Sequence, residues 1–307
     1  MIIFDGDNLA STYEIILKQE VAILRAQGTK LKIAAILFAE DKGSQLYTQL
    51  KSEAAARSGI DYEVFEFSLT ENIEKVEQKL QELNQDPVVT GIIIQKPWRK
   101  TWAKVKGINQ TKGQKAVRLA FNAWWQFLTS RIDPQKDVDG LHPSTLTTVK
   151  ANTWRQQHKV LPATAKAVFT ILDKAFSELK ISPAQQRQQQ ILILGRSDIV
   201  GQPVFYELKN QGFQAKMLTQ DDVSQRLNSS KKLIDADIII SATGVKHLIT
   251  GEMVKEGVII IDVGEPHPDV ELKSMKAKAA FITPVPGGVG PMTVVSLLKN
   301  CVTIATT

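Results

Sequence analysis

Apolar residues along the first hundred positions occur in two patterns, short continuous runs and segments with helical spacing. IAAILF at 33–38 and VVTGIIIQ at 88–95 are continuous runs of the length expected for buried strands, and DYEVFEF at 61–67 alternates as a strand does. Helical spacing occurs at 12–27, at 44–60 and at 70–84, with Ser44 and Thr70 as expected N-caps of the latter two. The pattern predicts strands that alternate with helices.

A second alternating region begins with a helical segment at 163–180. It continues through QILIL (190–194), FQAKML (213–218), DIIISATG (237–244) and VIIIDVG (258–264), and a Gly/Pro loop then leads into a C-terminal helix. Such alternation predicts parallel sheets covered by helices, and ligands of such sheets bind at the carboxyl ends of the strands. We therefore expect an α/β fold with two αβ domains.

Composition narrows the function classes. The 307 residues are 43% hydrophobic, and no apolar run approaches the roughly 20 residues needed to cross a bilayer. Cys301 is the only cysteine, which excludes an internal disulfide and a thiolate metal cluster, and the four histidines lack paired ligand spacing. We expect a cytoplasmic protein without a metal and without membrane association.

The net charge of +6 is concentrated in one stretch. Positions 88–132 contain no Asp or Glu, and Trp98, Trp102, Trp124 and Trp125 lie among nine basic residues. These are Lys96, Arg99, Lys100, Lys104, Lys106, Lys112, Lys115, Arg118 and Arg131. Basic and aromatic groups together suit single-stranded nucleic acid, but a solvated basic surface over packed tryptophans explains them equally well. The stretch could also attract an acidic substrate.

Several short motifs have both a structural and a chemical interpretation. Tyr47 and Lys51 are four residues apart and therefore share a helix face, where a lysine stem covering a ring is the commoner arrangement. Gln95 ends a predicted strand. DVDG at 137–140 is a turn that could present the Asp139 carboxylate to paired N–H donors.

Two glycine-rich segments can approach a ligand closely. Gly195, Arg196, Ser197 and Gly201 lie between a predicted strand and a helix, where backbone amides and the helix N-terminus suit a pyrophosphate, although a plain turn needs no ligand. PGGVG at 286–290 precedes the C-terminal helix and is either a ligand-binding loop or a tight turn.

In combination, YTQLK, GIIIQKP, KDVDGLHP, GRSDIVGQP and TPVPGGVGPMT resemble the bifunctional methylenetetrahydrofolate dehydrogenase/methenyltetrahydrofolate cyclohydrolase family. The resemblance implies a catalytic three-layer domain (1–145, completed by 286–307) and a Rossmann-like domain (146–285), with a cleft between them. It also implies oxidation of 5,10-methylenetetrahydrofolate with NADP, hydrolysis of the product to 10-formyltetrahydrofolate, and a homodimer.

The resemblance also implies roles for individual residues. Lys51 would be the catalytic lysine, Tyr47 would stack on the folate, Gln95 would hydrogen-bond Lys51, and Asp139 would hold the pterin. Pro286, Gly287, Gly288, Val289 and Gly290 would line the folate site. Gly195, Arg196, Ser197 and Gly201 would bind the dinucleotide, with the backbone of Glu265 near the nicotinamide.

Departures from the family pattern leave alternatives open. QKPWR, HPSTL, PATA and GEP replace segments that border the substrate sites in the family, so a monofunctional dehydrogenase is one alternative. Asp221 lies 20 residues beyond Gly201, where an acid favours NAD over NADP, so NAD use is another. A nucleic-acid-binding protein that uses 96–131 is the remote alternative.

Overall fold

The chain forms two compact units of α/β structure. The computed structural model describes residues 1–108, 113–229 and 232–307, apart from the side chains of 114 and 220. One unit comprises 1–12, 148–153 and 161–296, and we call it the six-stranded unit. The other, the three-stranded unit, comprises 13–147, 154–160 and 297–307. The first twelve residues thus group with the six-stranded unit, whereas the sequence interpretation placed them in the catalytic domain.

The three-stranded unit is built on a parallel sheet of order β3-β2-β4. Ile33 of β2 pairs with Tyr62 of β3 on one side and with Gly91 of β4 on the other. Helices surround this sheet. The elements are α1 (Gly6–Ala26, in this unit from residue 13), β2 (Lys32–Phe38), α2 (Lys42–Ser58), β3 (Asp61–Phe67), α3 (Ile73–Gln85), β4 (Gly91–Ile94), α4 (Arg99–Val105), α5 (Gln114–Thr129) and α6 (Pro143–Lys150, up to 147).

The basic, tryptophan-rich stretch forms α4 and α5, and most of its tryptophans belong to the core of this unit. Trp102 and Trp125 are buried, and the ring of Trp124 lies 5.3 Å from that of Phe38 on β2. Lys96 Nζ lies 5.1 Å from the centroid of the Trp125 ring. The charged side chains of Arg99, Lys100, Lys104, Lys106, Lys115 and Arg118 are exposed, and Lys112 lies outside the described residues. The structure therefore has a basic surface over packed tryptophans.

The six-stranded unit contains a parallel sheet of order β1-β9-β8-β7-β5-β6. Its strands are β1 (Ile2–Ile3), β5 (Gln190–Leu194), β6 (Gln214–Leu218), β7 (Ile238–Ser241), β8 (Val258–Asp262) and β9 (Ala279–Ile282). Its helices are α7 (Ala163–Glu178), α8 (Pro183–Gln188), α9 (Gly201–Asn210), α10 (Gln220–Leu227) and the start of α11 (Val289–Ala305). Burial of β5, β7 and β8 on both faces explains their continuous apolar runs.

Two predicted helix starts are wrong by two or three residues. Asp41, rather than Ser44, caps α2, because its side chain accepts a hydrogen bond from the Ser44 amide. Asn72, rather than Thr70, caps α3. No helix within the described ranges is both long and apolar enough to cross a membrane.

Candidate active site

Lys51 lies at the centre of a buried polar cluster in the three-stranded unit. It belongs to the inward face of α2, which Gly59 ends in the left-handed conformation at φ 80°. The side chain is buried, and its Nζ donates a hydrogen bond of 3.0 Å to Oε1 of Gln95. Gln95 follows β4 directly, at the carboxyl end of the sheet, and Tyr47 lies half-buried one turn before Lys51.

Asp139 completes this cluster from the loop before α6. Its Oδ2 lies 3.8 Å from Lys51 Nζ, and the two side chains are 16% and 7% exposed. Burial raises the pKa of Asp139 to about 6; the charge of Lys51 opposes this shift and that of Asp137 adds to it. The carboxylate is therefore largely ionised at neutral pH and close to its titration range.

Asp137 organises the loop that carries Asp139. Its Oδ1 accepts from the Leu141 amide at 2.8 Å, and its Oδ2 accepts from the His142 amide at 2.8 Å and from the Thr145 hydroxyl at 2.9 Å. Asn300 of α11 donates to the Val138 carbonyl at 2.9 Å. The sequence interpretation gave Asp137 no role, although an acid at the start of a Gly-containing turn is a known signal for such side chain to backbone bonds.

Tyr62, on β3, is a second residue that the sequence interpretation missed. Its hydroxyl is buried and has no hydrogen-bond partner within the described part of the chain. Burial, with a further contribution from the Asp139 charge, raises the pKa of Tyr62 well above its ordinary value. The Asp139 carboxylate thus influences the β3 side of the cluster as well as Lys51.

The loop 286–290 lies in the six-stranded unit, where backbone atoms of neighbouring segments pack closely against it. Gly287 has φ 89°, and its carbonyl accepts from the Gly6 amide at 2.9 Å. A Cβ at Gly288 would lie 2.9 Å from Thr283 Cβ and closer still to the Pro284 carbonyl. Pro286 is exposed, Gly290 is partly exposed, and Val289 begins α11. Backbone conformation at 287 and close packing at 288 therefore explain these two glycines without a ligand.

Residues 195–201 form a glycine cradle between β5 and α9. Gly195 has φ 115°, and a Cβ there would lie 2.5 Å from the Ala242 carbonyl oxygen. A Cβ on Gly201 would collide with the Gly195 carbonyl, and the Ser197 hydroxyl accepts from the Val200 amide at 3.2 Å. Backbone amides at the start of a ten-residue helix fit a dinucleotide pyrophosphate. Arg196 is exposed at the rim.

Comparison with known proteins assigns both parts of the chain to one family. Residues 4–118 match the tetrahydrofolate dehydrogenase/cyclohydrolase catalytic domain, and 162–307 match the NAD(P)-binding domain of the same name. Relatives called bifunctional protein FolD are 31% identical in Lactobacillus acidophilus and 33% identical in Staphylococcus aureus, over 98% and 97% of this chain and 95% and 94% of theirs. The chain belongs to the tetrahydrofolate dehydrogenase/cyclohydrolase family.

Solved structures agree with this membership. The FolD enzyme of Campylobacter jejuni superposes with a TM-score of 0.80 at 29% identity, over 98% of this chain and 97% of the other. The Trypanosoma brucei enzyme, described as complexed with NADP cofactor and inhibitor, gives 0.81 at 29% identity, over 99% and 97%. The resemblance inferred from the five motifs and the two-domain α/β fold are confirmed.

The six-stranded unit also contains two buried carboxylates, both within the NAD(P)-binding domain match. Asp262, at the end of β8, has a pKa raised to about 6 because it is buried, although it accepts hydrogen bonds from the Gly264 and Val270 amides. Asp269 accepts from the Ser241 hydroxyl at 2.7 Å and the Thr243 amide at 2.7 Å. These bonds fix the loops after β7 and β8, and Glu265 is exposed on the second of these loops.

Within the described ranges, no three His, Cys, Asp or Glu side chains are grouped as a metal site requires.

The predicted site residues divide between the two units. Lys51, Gln95 and Asp139 meet in the three-stranded unit, where Tyr47 also lies. The predicted dinucleotide residues and the loop 286–290 lie in the six-stranded unit.

Proposed function

We propose that this protein oxidises 5,10-methylenetetrahydrofolate to 5,10-methenyltetrahydrofolate with NADP, and hydrolyses the product to 10-formyltetrahydrofolate. The observation that carries the proposal is the buried cluster of an amine, an amide and a carboxylate, Lys51, Gln95 and Asp139. The names of the FolD relatives and the two matched domain families point to the same pair of reactions.

Lys51 supplies the proton transfers of the second reaction. Water adds to the cationic methenyl carbon and loses one proton, which gives a neutral carbinol. The bond from that carbon to N5 then breaks as N5 takes up a proton, and the carbinol hydroxyl releases its proton to become the formyl carbonyl, so hydrolysis releases one proton overall. An amine can accept the proton from the attacking water and deliver a proton to N5. Gln95 fixes the amine through its 3.0 Å hydrogen bond, so Lys51 is oriented before the substrate arrives.

Asp139 and Tyr47 bind the substrate in this proposal. The ionised carboxylate of Asp139 accepts two parallel hydrogen bonds from the aminopyrimidinone edge of the pterin. The half-buried ring of Tyr47 offers a stacking surface one turn from Lys51. The assignment of the loop 286–290 to the folate site stays a prediction from the family resemblance.

The glycine cradle of the six-stranded unit would hold the cofactor. Gly195, Ser197 and Gly201 would admit the pyrophosphate to the start of α9, Arg196 would approach the adenosine ribose, and the Glu265 backbone would lie near the nicotinamide. When bound there, NADP would supply the acceptor for the hydride of the methylene carbon. The NAD(P)-binding domain match fits either dinucleotide, and we place NADP first because the Trypanosoma brucei relative is described with it.

A monofunctional dehydrogenase is the closest alternative. Such an enzyme would not need the buried amine of Lys51, because it hydrolyses nothing. The amine is present and is held by Gln95, and this favours an enzyme with both dehydrogenase and cyclohydrolase activity. A nucleic-acid-binding function is disfavoured because Trp102 and Trp125 are buried and cannot stack on bases. An electrophoretic shift assay alongside the folate assays separates these classes.

One spectrophotometric experiment tests the proposal. Methylenetetrahydrofolate should reduce NADP, and methenyltetrahydrofolate should lose its absorbance faster with enzyme than without it. Dehydrogenase activity without hydrolysis would replace the proposal with the monofunctional alternative, and no activity in either assay would refute both. The homodimeric state and the cytoplasmic location remain predictions, and sedimentation velocity tests the first.

A further inference from the structure

The ends of β5 and β6 bring Arg196 and the start of α10 to the same edge of the sheet. The two strands are parallel neighbours, and the Gly195 amide donates to the Leu218 carbonyl at 3.2 Å. Arg196 follows one strand end directly, and Thr219 follows the other. In dinucleotide-binding sheets the adenosine ribose is recognised at the end of this second strand.

Asp222 is held in place at this edge by a reciprocal cap of α10. Its Oδ2 accepts from the amide and the hydroxyl of Thr219, each at 2.7 Å, and the Thr219 hydroxyl accepts from the Asp222 amide at 3.0 Å. This arrangement fixes the carboxylate relative to the end of β6. Asp221, which the spacing from Gly201 indicates, is exposed and lies one residue earlier on the same turn.

Arg196 and Asp222 interact electrostatically. Hydrogen bonds from Thr219 are the largest cause that holds the pKa of Asp222 below its ordinary value, and the positive charge of Arg196 adds to them. A guanidinium in this position can pair with a 2′-phosphate, whereas a carboxylate fixed at the end of the neighbouring strand attracts the same guanidinium and repels the phosphate.

We propose that Asp222 is a specificity-determining residue, whose fixed carboxylate opposes the 2′-phosphate of NADP at Arg196 and moves the cofactor preference toward NAD. This inference rests on the proposed dinucleotide site. It does not exclude NADP, because Arg196 still attracts the phosphate, but it makes the preference for NADP weaker than Arg196 alone would give. The effect belongs to Asp222 because its hydrogen bonds to Thr219 fix the position of its charge, whereas the side chain of Asp221 is exposed on the same turn.

The test uses two ligands that differ only in the 2′-phosphate, adenosine 2′,5′-bisphosphate and adenosine 5′-monophosphate, with affinities measured by titration calorimetry. Asp222→Asn keeps an oxygen that can accept from Thr219 and removes the charge. It should tighten binding of the bisphosphate by roughly tenfold and leave the monophosphate within about twofold. The gain should shrink as added salt screens the repulsion.

Asp221→Asn is the matched control, because it removes an equal charge from the same turn, and it should change bisphosphate affinity by less than about twofold. Asp222→Glu, which restores the charge, should recover most of the parent preference. Arg196→Gln should weaken bisphosphate binding and abolish the gain from Asp222→Asn. The ratio of kcat/KM for NADP to that for NAD should follow these affinities.

Unchanged bisphosphate affinity in a folded Asp222→Asn protein would overturn the inference, as would an equal gain from Asp221→Asn. Either result would leave the dinucleotide site standing, provided that the monophosphate binds. If neither ligand binds the parent protein, the proposed dinucleotide site fails together with the inference.

Discussion

Replacement of Lys51 by Met tests the centre of the proposed mechanism. Methionine keeps most of the apolar stem in a side chain that is 7% exposed, and it removes the amine that donates to Gln95. We expect the protein to fold and cyclohydrolase activity to fall by about 10²-fold or more, the usual scale for a lost general acid-base group. Hydride transfer should decline less, because it requires no proton transfer through the amine.

The structure adds a second consequence of Lys51→Met through Asp139. With a pKa of about 6, Asp139 is roughly 90% ionised at pH 7. Lys51 lowers this pKa, so its removal raises it and leaves a smaller fraction of the carboxylate ionised at pH 7. The KM for folate should therefore increase at pH 7 and recover toward the parent value near pH 8.5, while kcat for hydrolysis stays low.

The assay is hydrolysis of methenyltetrahydrofolate, followed by loss of absorbance from pH 6 to pH 8.5. Lys42→Met serves as the control, since Lys42 is exposed in the first turn of the same helix and its loss should leave both activities unchanged. Hydrolysis at the parent rate by a folded Lys51→Met protein would refute the role of the amine. Tyr47 and Lys51 would then be only a packed pair on α2.

Three further predictions concern the rest of the site. The parent should lose folate affinity as pH falls through about 6, because protonation removes the accepting carboxylate of Asp139. Asp139→Asn should raise the KM for folate at least tenfold and abolish this pH dependence, and KM profiles against pH measure both. Gly195→Ala should destroy dinucleotide binding, measured by calorimetry, because its Cβ would lie 2.5 Å from the Ala242 oxygen at φ 115°. Polyglutamylated folate should have a lower KM than the monoglutamate, because the exposed basic side chains of α4 and α5 attract acidic tails. The difference between the two KM values should disappear as salt is added, and equal KM values at low salt would contradict the prediction.

Periodicity predicted the strands well because the buried parallel strands leave little room for polar residues. The runs at 33–38, 190–194 and 258–264 correspond closely to β2, β5 and β8. Periodicity could not predict β1, since Ile2 and Ile3 are too few residues to show a period, and they pair with β9 from the other end of the chain. Their place in the six-stranded sheet depends on a long-range contact that no local pattern encodes.

The tryptophan-rich stretch shows a different limit. A sequence records that Trp102, Trp124 and Trp125 lie among basic residues, but not which face of a helix meets the core. In the structure Trp124 contacts Phe38, Trp102 contacts Phe121 and Trp125 contacts Trp124, while the charged groups of the same helices are exposed. Because the rings are buried, only the basic groups of this stretch are available to a ligand, whereas binding of single-stranded nucleic acid needs both the rings and the basic groups.

The two carboxylates of DVDG show why the role of a site residue needs the structure. Burial raises the pKa of both Asp137 and Asp139. Asp137, however, accepts hydrogen bonds from two backbone amides and a hydroxyl, so its carboxylate oxygens are used to hold the loop. Asp139 faces the Lys51 amine at 3.8 Å instead. One carboxylate therefore folds the loop so that the other is available to a ligand, and exchanging their roles would leave a buried charge without donors, at a cost of several kcal/mol.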